Sequence, residues 1–443
     1  MADTIYALAS APGKAGVAVV RLSGDHAFSV LSALSGNVRF YPRRLERVAL
    51  KRSDSADLID EALAVYFPAP HSFTGEDVVE FHLHGGRAVL QALTQAFADY
   101  PEVRPAAAGE FTRRAFLNDK MDLTQAEALA DLIDAQTEAQ RRQALRQMDG
   151  ALGRLYETWR SQLLEILAHN EAVIDFAEDG IPHDLAEQNL RAVGQLIKEL
   201  GDHMSDHRRG EIVRDGVSIV LLGPPNAGKS SLMNVLARRD AAIVSAEAGT
   251  TRDIIEVSLD LNGYAVTIAD TAGLREVSGE VEREGIRRAR ARAEAADLRL
   301  LVFDGAHWPD YDAPTAQMIS PSCLIVLNKL DALSHPPPQR LHDHPVFALS
   351  VHTGEGMEEL EQALLTHVTQ LIGPTETPCL SRERHRHALA ACLEHLERSL
   401  VAPFVDQQAE DVRLAARALG TITGRMDVEE ILETIFSQFC IGK

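Results

Sequence analysis

The stretch Gly223-Pro-Pro-Asn-Ala-Gly-Lys-Ser230 follows directly on the apolar run Val217 to Leu222 and leads directly into the helix-like Ser231-Leu-Met-Asn-Val-Leu236. A strand that ends in a glycine-rich loop and resumes as a helix turns G-x-x-x-x-G-K-[ST] from a pattern into a phosphate cradle. Glycines let backbone N–H groups close around phosphate oxygens, and the helix start favours anions. Lys229 adds a mobile positive charge, and Ser230 offers a hydroxyl to Mg²⁺. Taken alone, these residues also fit an unrelated tight turn, so the reading depends on whether partner motifs occur farther along the chain.

Three more stretches occur in a fixed order. Gly249-Thr-Thr-Arg-Asp253 is a polar loop able to present a Thr hydroxyl to Mg²⁺. The alternating strand Tyr264 to Ala269 ends in Asp270-Thr-Ala-Gly273, a carboxylate for the Mg²⁺ shell followed by a Gly whose N–H can face a γ-phosphate. The apolar strand Cys323 to Leu327 runs into Asn328-Lys-Leu-Asp331, where Asp331 can accept two hydrogen bonds from guanine N1 and N2 groups that adenine lacks. Together with the glycine loop they resemble the GTPase subclass of P-loop proteins. Ser350-Val-His-Thr-Gly354 stands where a second base-contacting loop is expected and departs from the commoner Ser-Ala-Lys. The expected GTP contacts are Asn226, Ala227, Gly228, Lys229, Ser230 and Ser231 on the first loop. Ser245, Ala246, Glu247, Ala248, Gly249, Thr250 and Thr251 precede and enter the second. Asp270, Thr271, Ala272 and Gly273 form the third, Asn328, Lys329, Leu330 and Asp331 the fourth, and Ser350, Val351 and His352 the fifth.

A chain of 443 residues is long for one core, so two or three domains are expected. No window of about twenty apolar residues occurs, and Met-Ala-Asp-Thr-Ile-Tyr at the start lacks a basic segment followed by an apolar core, which predicts a soluble cytoplasmic protein. Cys323, Cys379, Cys392 and Cys440 lie far apart without a C-x-x-C pair, so neither a zinc site nor a disulfide framework is expected. The net charge of -21 argues against a broad basic surface for nucleic acid, so any RNA contact must be local or shared. Residues 1–118 hold twelve basic and thirteen acidic side chains and are the part least repulsive to polyanions.

In chain order, residues 1–118 mix short apolar runs with Pro and Gly punctuation, an α/β or α+β pattern. His82 and His84 alternate with Glu80 on a strand, and with no further ligand evident they read as an exposed face rather than a metal site. Thr124-Gln-Ala-Glu127 reads as a capping box opening a long helix, and helical periodicity then fills residues 119–215. Residues 216–373 form the nucleotide module, with Val257 to Ile268 as a hairpin turning at Asn262-Gly263 and giving the sheet an antiparallel edge. Helices resume over residues 374–443, so the module is an insertion into a helical domain.

This layout, the segments Phe73-Thr-Gly-Glu-Asp77 and Arg114-Ala-Phe-Leu-Asn-Asp-Lys120, the loop Pro225-Asn-Ala-Gly-Lys-Ser230 and the terminal Phe439-Cys-Ile-Gly-Lys443 together resemble the tRNA wobble-uridine modification GTPases, the MnmE (TrmE) family, over the whole chain. The resemblance implies a multidomain protein: an N-terminal folate-binding and dimerising domain, a helical domain and an inserted P-loop GTPase domain. It implies a homodimer that joins an FAD-dependent partner, MnmG (GidA), in a heterotetramer acting on tRNA. The folate, 5-formyltetrahydrofolate or a relative, supplies one carbon and would meet Arg21, Glu80, Lys120 and Lys443. Glu80 suits the pterin edge, and the cations suit a glutamate tail. The family's K⁺ ligands fall on Asn226 and on the backbone around Ser245, Glu247 and Thr250, and its Mg²⁺ ligands on Ser230 and Thr251. Pro224, where relatives usually carry another residue, stiffens the loop without changing its chemistry.

Leu274 occupies the place where many GTPases keep a Gln that orients water, and an apolar side chain cannot do this. By resemblance Glu282 takes that part, with K⁺ supplying charge when two G domains pair; Arg252 or Arg275 as an arginine finger is the rival. A regulatory or ribosome-assembly GTPase is the alternative class, and the folate site discriminates, since a switch needs none. Cys440-Ile-Gly-Lys443 has the length of a prenylation box but an atypical composition.

Overall fold

The computed structural model describes residues 3–53, 55–175, 184–239, 241–243, 255–270, 294–373, 378–426, 429–437 and 439–442. The chain divides into two units, Met1–Ala130 with Met148–Ala168 and Val412–Lys443, and Asp131–Gln147 with His169–Asp411.

In the first unit the period-2 alternation of β2 (Ala15–Ser23), with Val20 and Leu22 buried, sends these residues to one face and Arg21 to the other. The sheet is completed by β1 (Thr4–Leu8), β3 (Glu46–Lys51), β4 (Leu58–Phe67), β5 (Val78–Gly85) and β6 (Val103–Pro105), in the order β3-β4-β5-β2-β1-β6. Only β1 and β6 pair in parallel. Helices α1 (Ala27–Ser35) and α2 (Arg87–Phe97) cover the apolar face, where Val30, Leu31, Leu34 and Phe97 join Leu22 and Phe81. Helix α3 (Glu110–Leu117) follows β6. Farther on, α4 (Leu123–Asp134) buries Leu123 and Ala126 against Leu432, Ile435 and Phe436 of α14 (Glu429–Ser437).

The long helix expected from Thr124 is three: α4, α5 (Glu138–Met148) and α6 (Ala151–Asp175). Thr124 lies inside α4 and is not its cap. The reciprocal box is formed by Asp122, whose Oδ1 accepts from the Gln125 amide at 2.9 Å while Gln125 Oε1 accepts from the Asp122 amide at 3.0 Å. A second box, in which Gln140 Oε1 accepts from the Thr137 amide at 3.1 Å, starts α5, and Gly150 at φ 75° separates α5 from α6. The boxes at Asp122 and Thr137, with their Gln partners, therefore divide what the apolar periodicity joins.

The second unit holds α7 (Asp184–Met204), α8 (Arg209–Asp215), β7 (Val217–Leu222), α9 (Lys229–Arg239), β8 (Ala241–Ile243), β9 (Ile255–Leu261), β10 (Tyr264–Asp270), β11 (Leu298–Asp304), α10 (Ala313–Ala316), β12 (Cys323–Asn328), β13 (Arg340–Leu341), β14 (His344–Ala348), α11 (Met357–Ile372) and α12 (Glu383–Val401). Helix α13 (Val405–Thr423) runs from this unit into the first. The sheet order is β13-β14-β12-β11-β7-β10-β9-β8, parallel from β14 to β10. Central strands are buried on both faces: Ile219, Leu221 and Val302 pack with Leu232 of α9 and Leu364 of α11, whereas Val220, Leu222 and Phe303 pack with Ile325 and Trp308. The β9–β10 hairpin turns at Asn262 (φ 52°) and Gly263 (φ 90°), with Tyr264 facing Leu261, as the Asn-Gly pair predicts. Among the described residues no helix is long and apolar enough to cross a membrane, and no group of His, Cys, Asp and Glu could hold a metal ion. His84 meets Asp60 at 2.8 Å, and His82 Nε2 lies 3.7 Å from Glu80.

Candidate functional site: a nucleotide cavity and a charged pair

Strand β7 stops at Gly223, whose φ of 152° and crowding leave no room for a side chain: a Cβ there would meet the Val302 carbonyl oxygen at 2.2 Å. Asn226 (φ 61°) bends the loop, and Gly228 (φ 93°) turns it into α9, where a Cβ would meet Asn328 Nδ2 at 2.2 Å. The ammonium of buried Lys229 is drawn inward, Nζ donating to Gly223 O and Pro224 O at 2.9 Å each. The parallel register of β10 on β7 sets Asp270 opposite Leu221, at the same sheet end as the loop. There Ser230 Oγ donates to Asp270 Oδ2. The site thus lies beyond the carboxyl ends of parallel strands, where open α/β sheets place ligands.

At the other end of the cavity, β12 delivers Asn328, 3% exposed. Its Nδ2 donates to Ala227 O at 2.8 Å and its Oδ1 accepts from the Val351 amide at 3.2 Å, so one amide ties the phosphate loop to the segment expected to face a base. Lys329, at φ 64°, extends its Nζ to Asp304 Oδ2 at 2.6 Å. The Leu330 amide donates to Leu349 O at 3.0 Å, which brings Asp331 beside Ser350. Ser350 Oγ then donates to Asp331 Oδ1 at 2.5 Å. That hydrogen bond, with help from the nearby His352 and Lys329, holds the Asp331 carboxyl below its ordinary range. The resulting cavity, about 930 Å³, is lined by Asn226, Gly228, Lys229, Ser230, Ser231, Asn328, Lys329, Asp331, Ser350, Val351 and His352 among others. Its size suits a nucleotide.

Ala227 and Leu330 are part of the same frame through their backbone groups. Ser245, Ala246, Glu247, Ala248, Gly249, Thr250, Thr251, Thr271, Ala272, Gly273, Glu282 and Lys443 lie outside the described residues, as do Arg252, Leu274 and Arg275. Two participants were not legible in sequence. Asp304 stands just before a stretch without a signature, yet it both caps the turn Gly305–His307 and holds Lys329. The run Leu298 to Phe303, apolar except for Arg299 and ending in an acid, was its one signal. The hydroxyl support of Asp331 by Ser350 was the other.

In the first unit, register pairs Arg21 of β2 with Glu80 of β5. Arg21 Nε donates to Glu80 Oε1 at 2.9 Å, and the guanidinium lies 5.5 Å and 5.8 Å from the ring centroids of Phe73 and Phe111. The two residues, read from the sequence as separate contacts, form a largely buried ion pair. Lys120 follows α3, its amide donating to Ala115 O at 2.8 Å, and its stem passes over Gly75, whose Cβ would lie 3.2 Å from Lys120 Cε. Ile441 bridges Ala108, and Gly442 packs so tightly on Leu8 that a Cβ would meet its carbonyl oxygen at 2.2 Å.

Two family models match the chain. A model described as "GTP-binding protein TrmE N-terminus" matches residues 4–120, and one described as "MnmE helical domain" matches residues 123–440. The tRNA modification GTPase MnmE of Paramagnetospirillum magneticum is 55% identical over 443 residues, covering 100% of both chains. That of Rhodospirillum rubrum is 51% identical, covering 100% of this chain and 99% of the relative. Among solved structures, the G domain of the T. maritima FeoB iron transporter aligns with 34% of this chain and 98% of its own at 26% identity and a TM-score of 0.27. On the strength of the full-length relatives and of the helical match, the chain belongs to the MnmE family of tRNA modification GTPases.

Proposed function

We propose that this chain hydrolyses GTP and, with an FAD-dependent partner of the MnmG type, modifies C5 of the wobble uridine of certain tRNAs using a tetrahydrofolate one-carbon unit. The observation that carries the reading is Asn328, whose amide joins Ala227 on the phosphate loop to Val351 on the base side. Phosphate and base subsites then form one frame. Within it the Asp331 carboxylate accepts from guanine N1–H and N2–H, groups adenine cannot match. Lys229 leaves its two loop carbonyls for phosphate oxygens at little cost, because its ammonium is already inside the loop. Ser230 and Asp270 present adjacent hard oxygens, the donor set that fits Mg²⁺, with Thr251 as the family's further ligand. Mg²⁺, when bound, neutralises charge on the phosphates.

Asn226 in its left-handed turn, with the backbone around Ser245, Glu247 and Thr250, would hold K⁺, and Glu282 would position water when two G domains meet. GTP turnover is then faster in KCl than in NaCl, and equal rates discard the K⁺ component. The working assembly is a homodimer, completed to a heterotetramer by the flavoprotein.

A tetrahydrofolate site separates this reading from a regulatory GTPase. Arg21 and Glu80, with Lys120 and Lys443, fit a pterin and its glutamate tail: a polar pair set among aromatic rings offers both charges to one ligand. Removing one charged partner from such a pocket costs roughly tenfold to a hundredfold in affinity. Arg21→Ala and Glu80→Ala should each weaken 5-formyltetrahydrofolate binding by that factor in calorimetry while GTP hydrolysis persists. No binding by the wild type at millimolar ligand gives the regulatory GTPase the better claim.

A further inference from the structure

Between Arg39 and Arg52 the chain sets six basic residues against a single acid, Glu46, although its net charge is -21. Arg39, Tyr41, Arg43 and Arg44 stand on the loop joining α1 to β3, and Arg47 and Lys51 project from β3, the edge strand of the first unit's sheet. These side chains are exposed, Tyr41 at 67% and neighbouring Val38 at 76%.

The loop is held by bonds of its own. The Arg39 amide donates to Asn37 Oδ1 at 3.1 Å and the Tyr41 amide to Glu46 Oε1 at 2.8 Å. Arg43, at φ 58°, donates its amide to Tyr66 O at 2.8 Å and its Nη2 to His71 O at 2.6 Å. Of the acids nearby, Glu46 accepts from the backbone of Tyr41, Glu61 pairs with Arg47 and Asp60 meets His84. Among the described residues no carboxylate pairs with Arg39, Arg44 or Lys51, and the Arg44 guanidinium lies over the Tyr41 ring, 5.4 Å from its centroid. Three cations left unneutralised on an ordered loop and sheet edge, in a chain whose overall charge repels polyanions, make a local electrostatic footprint. Guanidinium forks beside an exposed ring suit phosphate oxygens and an unstacked base better than they suit an acidic protein surface.

We propose that the loop between α1 and β3, together with β3, holds the phosphate backbone of the tRNA, through Arg39, Arg44 and Lys51, with the Tyr41 ring open to an unpaired base. This rests on the reading that the chain acts on tRNA, and it assigns the contact to this chain as well as to any partner. The test compares the full-length wild type with the Arg39→Ala/Arg44→Ala/Lys51→Ala variant, titrated into an unmodified tRNA transcript by fluorescence anisotropy from about 50 to about 200 mM KCl. Each lost phosphate contact lowers the slope of log affinity against log salt by about 0.7–0.9, so the variant should lose about two in slope and about tenfold or more in affinity at low salt. Its GTP turnover should match the wild type. Arg39→Lys/Arg44→Lys, which keeps the charges, should keep the slope. Equal slopes and affinities for the wild type and the triple variant overturn the proposal, as does a wild type that does not bind the transcript. Nucleoside analysis of cells carrying each form separates the failures: no wobble modification restored by the wild type removes the underlying reading, whereas full restoration by the triple variant removes this surface alone.

Discussion

Asp331 lines the cavity in a turn that gives it little cover, and its carboxyl is held below its ordinary range chiefly by the hydroxyl of Ser350, with His352 and Lys329 assisting. Because the shift is downward, the carboxylate is present above its ordinary titration range and is lost only as pH falls well into the acid, so guanine recognition should not vary across neutral pH. Asp331→Asn exchanges one acceptor for a donor, which matches xanthine and clashes with guanine. Steady-state hydrolysis should therefore switch preference from GTP to XTP, and Ser350→Ala should weaken GTP severalfold without switching. An unchanged preference in Asp331→Asn removes Asp331 from the base site. The residue identities here were legible because each motif requires a particular group at a particular strand end. The atoms that each residue avoids or holds were not. Gly228 is required by Asn328, and Lys329 is held by Asp304, across sequence gaps that only the parallel register of β7, β11 and β12 closes.

Helix α7 packs against α12, and their shared polar cluster is more constrained than helical periodicity alone could show. Arg386 donates to Met204 O at 2.9 Å, to Asp206 Oδ1 at 2.8 Å and to Glu211 Oε1 at 3.1 Å, tying the end of α7 and the adjoining α8 to α12. In the same region burial pushes the imidazole of His203 down to about 4, with Asp206 opposing and Arg386 and His385 assisting the fall. In the unfolded chain this imidazole titrates near 6.5. Between those values the unfolded state holds a proton that the folded state refuses, so stability falls as pH falls through the window, by at most roughly 3 kcal/mol. Urea midpoints at pH 7.5 and at pH 5 should converge for His203→Gln relative to the wild type; identical pH dependence in both forms contradicts this. The sequence was informative on which stretches are helical and poor on where helices break. Asp122 and Thr137 cap through reciprocal bonds with Gln125 and Gln140, and both positions carry polar residues that an apolar pattern passes over.

At the scale of the molecule, the nucleotide frame belongs to one unit and the Arg21–Glu80 pair to the other. The first was legible because its motifs are contiguous. The second needed the β2–β5 register to show that two residues far apart in sequence answer each other. Strong net negative charge limits where RNA can touch such a chain, and the cations between Arg39 and Arg52 are one place where direct contact is feasible. The central claim is that nucleotide turnover in one unit serves chemistry on tRNA. The most direct measurement is mass spectrometry of tRNA nucleosides from cells lacking this protein, complemented with the wild type or with Lys229→Ala. The C5-modified wobble uridine should be absent from the deletion strain, return with the wild type and stay absent with the variant. An unaltered nucleoside profile in the deletion strain would contradict the account.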